Sequence, residues 1–205
     1  MKLLDKLRNK IKYNKKVMLF LTIIVIIGII SGSFLTVILK SDDKQLIVNN
    51  IQDFMNNIKN INNIDILKNT LIINILFLVG IWILGISIIG LFVVVGLVFW
   101  KSFTLGFTIS SFILTYHLKG LLLAFIYVFP HLITNLLVMM YLGTYAIKFS
   151  ILLIKCIFHK VNLDLRSLII IYLKVLIISL IIVAITACFE AFITPTFIKY
   201  IINFI

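Results

Sequence analysis

VMLFLTIIVIIGIISGSFLTVIL, residues 17–39, decides the class of fold. It runs 23 residues without a charge. As a helix rising about 1.5 Å per residue it is long enough to cross a hydrocarbon layer of roughly 30 Å. It is too long for the apolar stretch of a cleaved signal, about 7–15 residues, and further apolar segments follow. The expectation is an uncleaved first transmembrane helix. Gly28 and Gly32 form a GxxxG pair that would let another helix approach closely.

The flanks of this stretch suggest how it is oriented. Upstream, residues 1–16 carry Lys2, Lys6, Arg8, Lys10, Lys12, Lys15 and Lys16, with Leu4, Leu7 and Ile11 at helical spacing. That pattern predicts a short basic amphipathic helix on the cytoplasmic surface, in contact with anionic lipids. Downstream, residues 40–69 form a polar excursion. Ile47, Ile51, Phe54 and Ile58 share one helical face, and amides fill the other. Four lysines there balance four aspartates, as expected of a translocated segment. Its apolar face is expected to lie on the membrane or against a partner.

The remaining apolar runs are read in the same way. Lys68 and Lys101 bracket 32 uncharged residues. A single tilted helix over about 70–95, with a glycine-interrupted exit to an interfacial Trp100, is predicted, and two half-helices around Gly90 are the alternative. Gly85 and Gly96 would share a packing face. The third span is expected over 102–117, where Ser102, Gly106 and Ser110 make a small-residue track for a neighbouring helix. The fourth runs over 121–147 and is kinked at Pro130. A cytoplasmic interfacial segment, 148–167, precedes a fifth span over 168–189. With the N-terminus inside, 13 basic residues fall on the cytoplasmic side and 6 outside. The prediction is an all-α, polytopic membrane helical bundle of about five transmembrane helices. It forms one integral membrane domain over 1–205, with N-terminus in and C-terminus out. The small-residue tracks leave homo-oligomerisation open.

Composition agrees. The chain is 62% hydrophobic and 13% charged, with a mean hydropathy of +1.22. A soluble globule of 205 residues could not cover so much apolar surface, and a disordered chain would not contain it. The net charge of +12 lies mostly beside apolar runs, so it is read as topology and lipid contact and not as nucleic-acid binding. Cys156 and Cys188 fall near opposite faces and are not expected to pair.

Few polar residues sit within membrane depth: Asn74, His117, His131, Asn135 and Glu190. Four of these five could meet in the outer half of the bundle. Polar groups in lipid face protein or water and mark function by default. The plainer reading is interhelical hydrogen bonding for Asn74 and Asn135, and an ordinary interface residue for His117. His131 could bond to a carbonyl freed by Pro130. Glu190, the only glutamate, is expected to be wet or paired with an outer lysine or His117. No local spacing supports a metal site, a cofactor loop or a catalytic triad, so no enzyme activity, metal or cofactor is expected.

Four segments carry a family resemblance. Ile81-Trp82-Ile83-Leu84-Gly85-Ile86-Ser87-Ile88-Ile89-Gly90 and Phe99-Trp100-Lys101-Ser102-Phe103-Thr104-Leu105-Gly106-Phe107-Thr108 resemble signatures of stage II sporulation protein M. The family has Lys-Gly where this chain has Lys101-Ser102. It also has a polar residue and Asn after a mid-span proline, where this chain has Pro130-His131 and a later Asn135. Glu190-Ala191-Phe192-Ile193-Thr194-Pro195 is similar to the family's terminal glutamate segment. The resemblance implies a multi-pass protein of the bacterial cell membrane, in the mother-cell septal and engulfing membrane. It implies a non-enzymatic scaffold that recruits or anchors the peptidoglycan-cutting sporulation proteins D and P. The alternative reading is a channel or transporter for a small solute or ion, built on the outer polar residues.

Overall fold

The computed structural model describes residues 2–57, 62–159 and 165–197. Among them the only regular elements are helices: α1 (Lys2–Ile38), α2 (Ser41–Asn57), α3 (Asn63–Gly85), α4 (Gly90–Val128), a π-helical turn (Phe129–Ile133), α5 (Thr134–His159) and α6 (Leu165–Phe192). Five segments are long and apolar enough to cross a membrane: Lys15–Ile38, Asn63–Gly85, Gly90–Tyr127, His131–Ile157 and Leu168–Phe197. The all-α multi-span reading holds.

Several boundaries differ from expectation. The basic start is not a separate surface helix, because α1 continues unbroken from Lys2. The second span does not reach residue 95. It ends at Gly85, and Ile86 and Ser87 close a turn onto Ile83 and Leu84 with bonds of 3.1 and 2.9 Å. Gly90 then starts α4 hard against the Leu84 carbonyl, where a side chain would not fit. Trp100 and Lys101 therefore lie inside a span, roughly 15 Å along α4 from that turn. Likewise, 148–159 is no separate interfacial helix but the end of α5, with Phe149 and Ser150 buried.

α4 is two helical stretches meeting at His117, which takes φ 51° and ψ −127°. Gly120 sits so close to the Phe112 carbonyl that the chain after His117 must double back along α4. The kink expected at Pro130 takes the form of the π turn, which accommodates the missing donor without interrupting the helical backbone between α4 and α5.

The two predicted small-residue tracks pack on each other. Gly28 approaches Ser102 and Phe99, Gly32 approaches the Phe103 backbone, and Gly106 approaches the Ile29 carbonyl. Ser33 donates to the Gly106 carbonyl at 3.1 Å, and Thr36 and Ser110 share a hydroxyl hydrogen bond. α1 and the first half of α4 thus run parallel and in register. These tracks are consumed within the chain and are not available for self-association. Gly85 packs on Ala146 and Tyr172, whereas Gly96 faces open space, so the expected shared face of Gly85 and Gly96 is not formed. The core is apolar: Leu21, Val94 and Val98 meet around Gly143, with Leu78, Ile81, Leu142 and Val175 nearby.

α2 is also docked on its own chain. Met55, Phe54 and Ile51 pack with Phe112, Leu123, Ala124 and Tyr127. Phe54 meets Tyr127 edge-on at 5.5 Å between ring centroids. The face expected to await a partner is therefore partly occupied by α4. Ile47 is half-buried, and Ile58 lies outside the described residues.

Candidate functional site

The fold gathers the intramembrane polar residues at the end of the bundle nearer His117. Asn74 on α3 is buried and accepts a hydrogen bond from the Lys101 ammonium at 3.5 Å. The same ammonium stands 5.1 Å from the centroid of Phe77, one turn along α3. His131, 2% exposed, is held by the π turn and aims Nε2 at Glu190 Oε1, 3.4 Å away. Tyr127 covers the imidazole edge-on at 5.1 Å. Asn135, 1% exposed and one turn on, accepts from Thr186 at 2.7 Å. Glu190 follows Thr186 by one turn of α6 and lies near Thr70 and within electrostatic range of Lys101.

Four of the five expected residues thus come together: Asn74, His131, Asn135 and Glu190. His117 does not join them. It is exposed in the reversal of α4, where its backbone geometry places it. Glu190 is partnered by His131 and Lys101 and not by His117. Lys101 is the member that sequence reasoning missed, because it was counted with the cytoplasmic bases. A signal was present: Lys101 is eleven residues past Gly90, while Asn74 is eleven residues before Gly85, so a turn between the glycines puts both at one depth. Thr70 and Thr186 went unremarked because hydroxyls are common in membrane helices.

In chemical terms the cluster is mixed. One ammonium, one imidazole, one carboxylate, two amides and two hydroxyls come from α3, α4, the π turn, α5 and α6. No group of three metal-ligating side chains occurs among the described residues. Cys156 and Cys188 are not joined in a disulfide. The Gly85 end carries a second, smaller set of bonds. Tyr172 donates to the carbonyls of Trp82 at 3.0 Å or Ile81 at 3.3 Å, and Ser150 donates to those of Gly85 or Ser87.

The profile of stage II sporulation protein M matches residues 17–195, from the first residue of α1's apolar stretch to Pro195. The chain belongs to the stage II sporulation protein M family. No curated protein and no solved structure matches it. Membership makes this a multi-pass membrane protein of a sporulation family. The matched region contains every residue of the polar cluster as well as both small-residue tracks.

Proposed function

We propose that this member of the stage II sporulation protein M family is a non-enzymatic membrane scaffold. It recruits or anchors the peptidoglycan-cutting sporulation proteins D and P at the septal and engulfing membrane. The observation that carries this reading is the docked helix α2. Its apolar side is committed to α4, so its outward side is held in a fixed orientation. That side is rich in amides: Gln45, Asn49, Asn50, Gln52, Asn56 and Asn57 are exposed, together with Asp53. Such a surface offers many hydrogen-bond donors and acceptors without the ordering cost of a loose loop. The partner-facing surface is thus the polar face of α2, opposite the one its apolar residues suggested.

In this reading α2 lies outside the cell and the basic start of α1 lies in the cytoplasm. With Lys101 inside the bundle, 12 basic residues remain on the side of the N-terminus and 6 on the other, so the bias still favours N-in and C-out. The test is co-purification of D and P with two variants in native membranes. Asn50→Arg/Asp53→Arg alters only the exposed face, while Phe54→Asp undocks the helix. Both should lose partner recovery while keeping membrane insertion. Full recovery with both variants would refute α2 as the contact.

A transport reading is favoured by one observation, the unpartnered polar atoms of the seam between α5 and α6. Flux in proteoliposomes, compared among the wild type, Glu190→Gln and His131→Ala, tests it. No flux is expected.

A further inference from the structure

Six buried side-chain polar atoms lack a hydrogen-bond partner among the described residues: Trp82 Nε1, His131 Nδ1, Asn135 Nδ2, Ser179 Oγ, Glu190 Oε2 and Thr194 Oγ1. They are not scattered. His131, Asn135, Glu190 and Thr194 belong to one seam, joined by the His131–Glu190 and Asn135–Thr186 contacts and by the four-residue spacings 131–135, 186–190 and 190–194. Native proteins leave few buried polar atoms unpaired, and a group of them marks a site for water or an ion. In a bundle surrounded by lipid the cost of leaving them bare is larger still.

The chemistry of the seam selects the occupant. The Lys101 ammonium beside Glu190 opposes a cation, and the Glu190 carboxylate opposes an anion. What remains is a neutral species. Asn135 has its carbonyl engaged by Thr186, so its free atom is a donor. Glu190 Oε2 is an acceptor. With Nε2 turned to the carboxylate, the neutral imidazole carries its proton there and leaves Nδ1 as an acceptor. The Thr194 hydroxyl can play either part. The occupants must accept from Asn135 and donate to His131 Nδ1 and to Glu190 Oε2, and because the two ring nitrogens point to opposite edges of the imidazole, the donors to Nδ1 and to Oε2 are separate molecules. Water, which donates and accepts and makes roughly three hydrogen bonds when buried, fits each place.

Access is one-sided. Glu190 is the most exposed member, at 14% of its side chain, and Thr194 lies just past α6 at the His117 end. In the other direction the next polar atom on α6 is Ser179, behind Val183, and beyond it Val175, Leu176 and Leu142 are buried against each other.

We propose that this seam is a water-binding site, bounded by His131, Asn135, Glu190 and Thr194. It opens to the His117 face alone, so that Glu190 and His131 exchange protons with the medium on that face. A proton passes from bound water to Glu190 Oε2 or His131 Nδ1 and returns by the same route, with no net charge crossing the bundle. The titratable groups facing the site are Lys101 and Tyr127 of α4, His131 of the π turn and Glu190 of α6. α3 contributes Thr70 and Asn74, and α5 contributes Asn135. The inference stands independently of partner binding.

Water-edited solid-state NMR of the full chain, reconstituted in bilayers with ¹⁵N-labelled histidine and leucine, tests it. The three histidine signals are assigned with His117→Asn and His159→Gln, asparagine being tolerant of the backbone at 117. If water is bound, the His131 ring nitrogens gain water magnetisation within about twofold of the exposed His117 ring. Build-up at His131 no faster than at the buried Leu142 amide overturns the proposal, and this wild-type comparison needs no substitution in the seam. Asn135→Leu, which removes the donor, should slow the transfer to His131 by about fivefold with helicity unchanged. Unchanged transfer in that variant overturns the assignment of Asn135 to the site.

Discussion

Gly106→Ala and Gly96→Ala, ten residues apart on α4, should move stability in opposite directions. At Gly96 an added methyl meets no atom within 4 Å. It brings only the helix propensity of alanine, a gain of roughly 0.5–1 kcal/mol. At Gly106 the methyl lands against the Ile29 carbonyl, with its carbon and the Ile29 Cα both 2.8 Å away. Carbon atoms rest at about 3.5 Å or more, so α1 must retreat by at least ~0.7 Å to clear the two carbons and further to clear the Ile29 oxygen. The obstacle is backbone and cannot swing aside as a side chain can. Overpacking of this kind costs about 1–3 kcal/mol. The retreat also stretches the Ser33–Gly106 and Thr36–Ser110 hydrogen bonds, worth about 0.5–1.5 kcal/mol each. Against the propensity gain, Gly106→Ala comes out destabilising by roughly 1–3 kcal/mol. Gly32→Ala should behave alike, because its methyl meets the Phe103 carbonyl carbon and the Phe107 nitrogen at 2.9 Å. Reversible unfolding by steric trapping in bicelles resolves such differences. Equal signs for Gly96→Ala and Gly106→Ala would refute the α1–α4 packing.

Other perturbations probe the rest of the bundle. Lys101→Met and Glu190→Gln should each destabilise by about 1–3 kcal/mol, and the double variant by clearly less than the sum, in the same unfolding assay; strict additivity would separate the two residues. Tyr172→Phe removes the hydroxyl shared by the Ile81 and Trp82 carbonyls and should cost about 0.5–1.5 kcal/mol, read as a lowered midpoint. His117→Gly relieves a left-handed backbone and should stabilise by roughly 1 kcal/mol, whereas His117→Val should destabilise; a loss of stability with glycine would count against the reversal at that residue.

Much of this architecture was legible in the sequence, for physical reasons that differ by element. The first span was plain because nothing but length and apolarity is needed to cross lipid. The tracks Gly28–Gly32 and Ser102–Ser110 were legible as close-packing faces, since a missing side chain has few other uses at that spacing. That they would pair with each other was not legible: parallel register between helices about seventy residues apart depends on the turn at 86–89, whose residues Ile86, Ser87, Ile88 and Ile89 look like more span. Gly90 marked the place without revealing whether the helix broke or bent. The face of α2 was misassigned for a related reason. Ile51 and Phe54 signal burial, but not what buries them, and the hairpin of α4 that does so exists only once His117 has reversed the chain. The membership of Asn74, His131, Asn135 and Glu190 in one cluster was visible from depth alone. That of Lys101 was hidden because a lysine beside a tryptophan normally marks a membrane surface.

Lys101 is where two rules collide, and the outcome can be argued from α4 alone. To carry its ammonium to the membrane surface at the Gly85 end, α4 would have to slide by roughly ten residues, about 15 Å. Ser102 adjoins Lys101 and Gly106 follows just over a turn later, so the slide would part them from Gly28, Gly32 and Ile29 and bring larger residues from further along α4, such as Phe112, against the α1 glycines. A lysine held at the centre of a span costs about 2.5–3.5 kcal/mol by insertion scales. Here that cost is offset by the Asn74 amide, the Phe77 ring and the Glu190 carboxylate, each supplied by a different turn of α3 or α6. The rotation of α4 that seats its small residues on α1 also turns Lys101, one residue away and about 100° round the helix, toward α3 and α6. The close packing of α1 on α4 therefore dictates a buried lysine, and the buried lysine in turn dictates the glutamate near the end of the last span. A variant that loses Glu190 should strain α4 against α1, far along the chain from the substitution, through that single rotation.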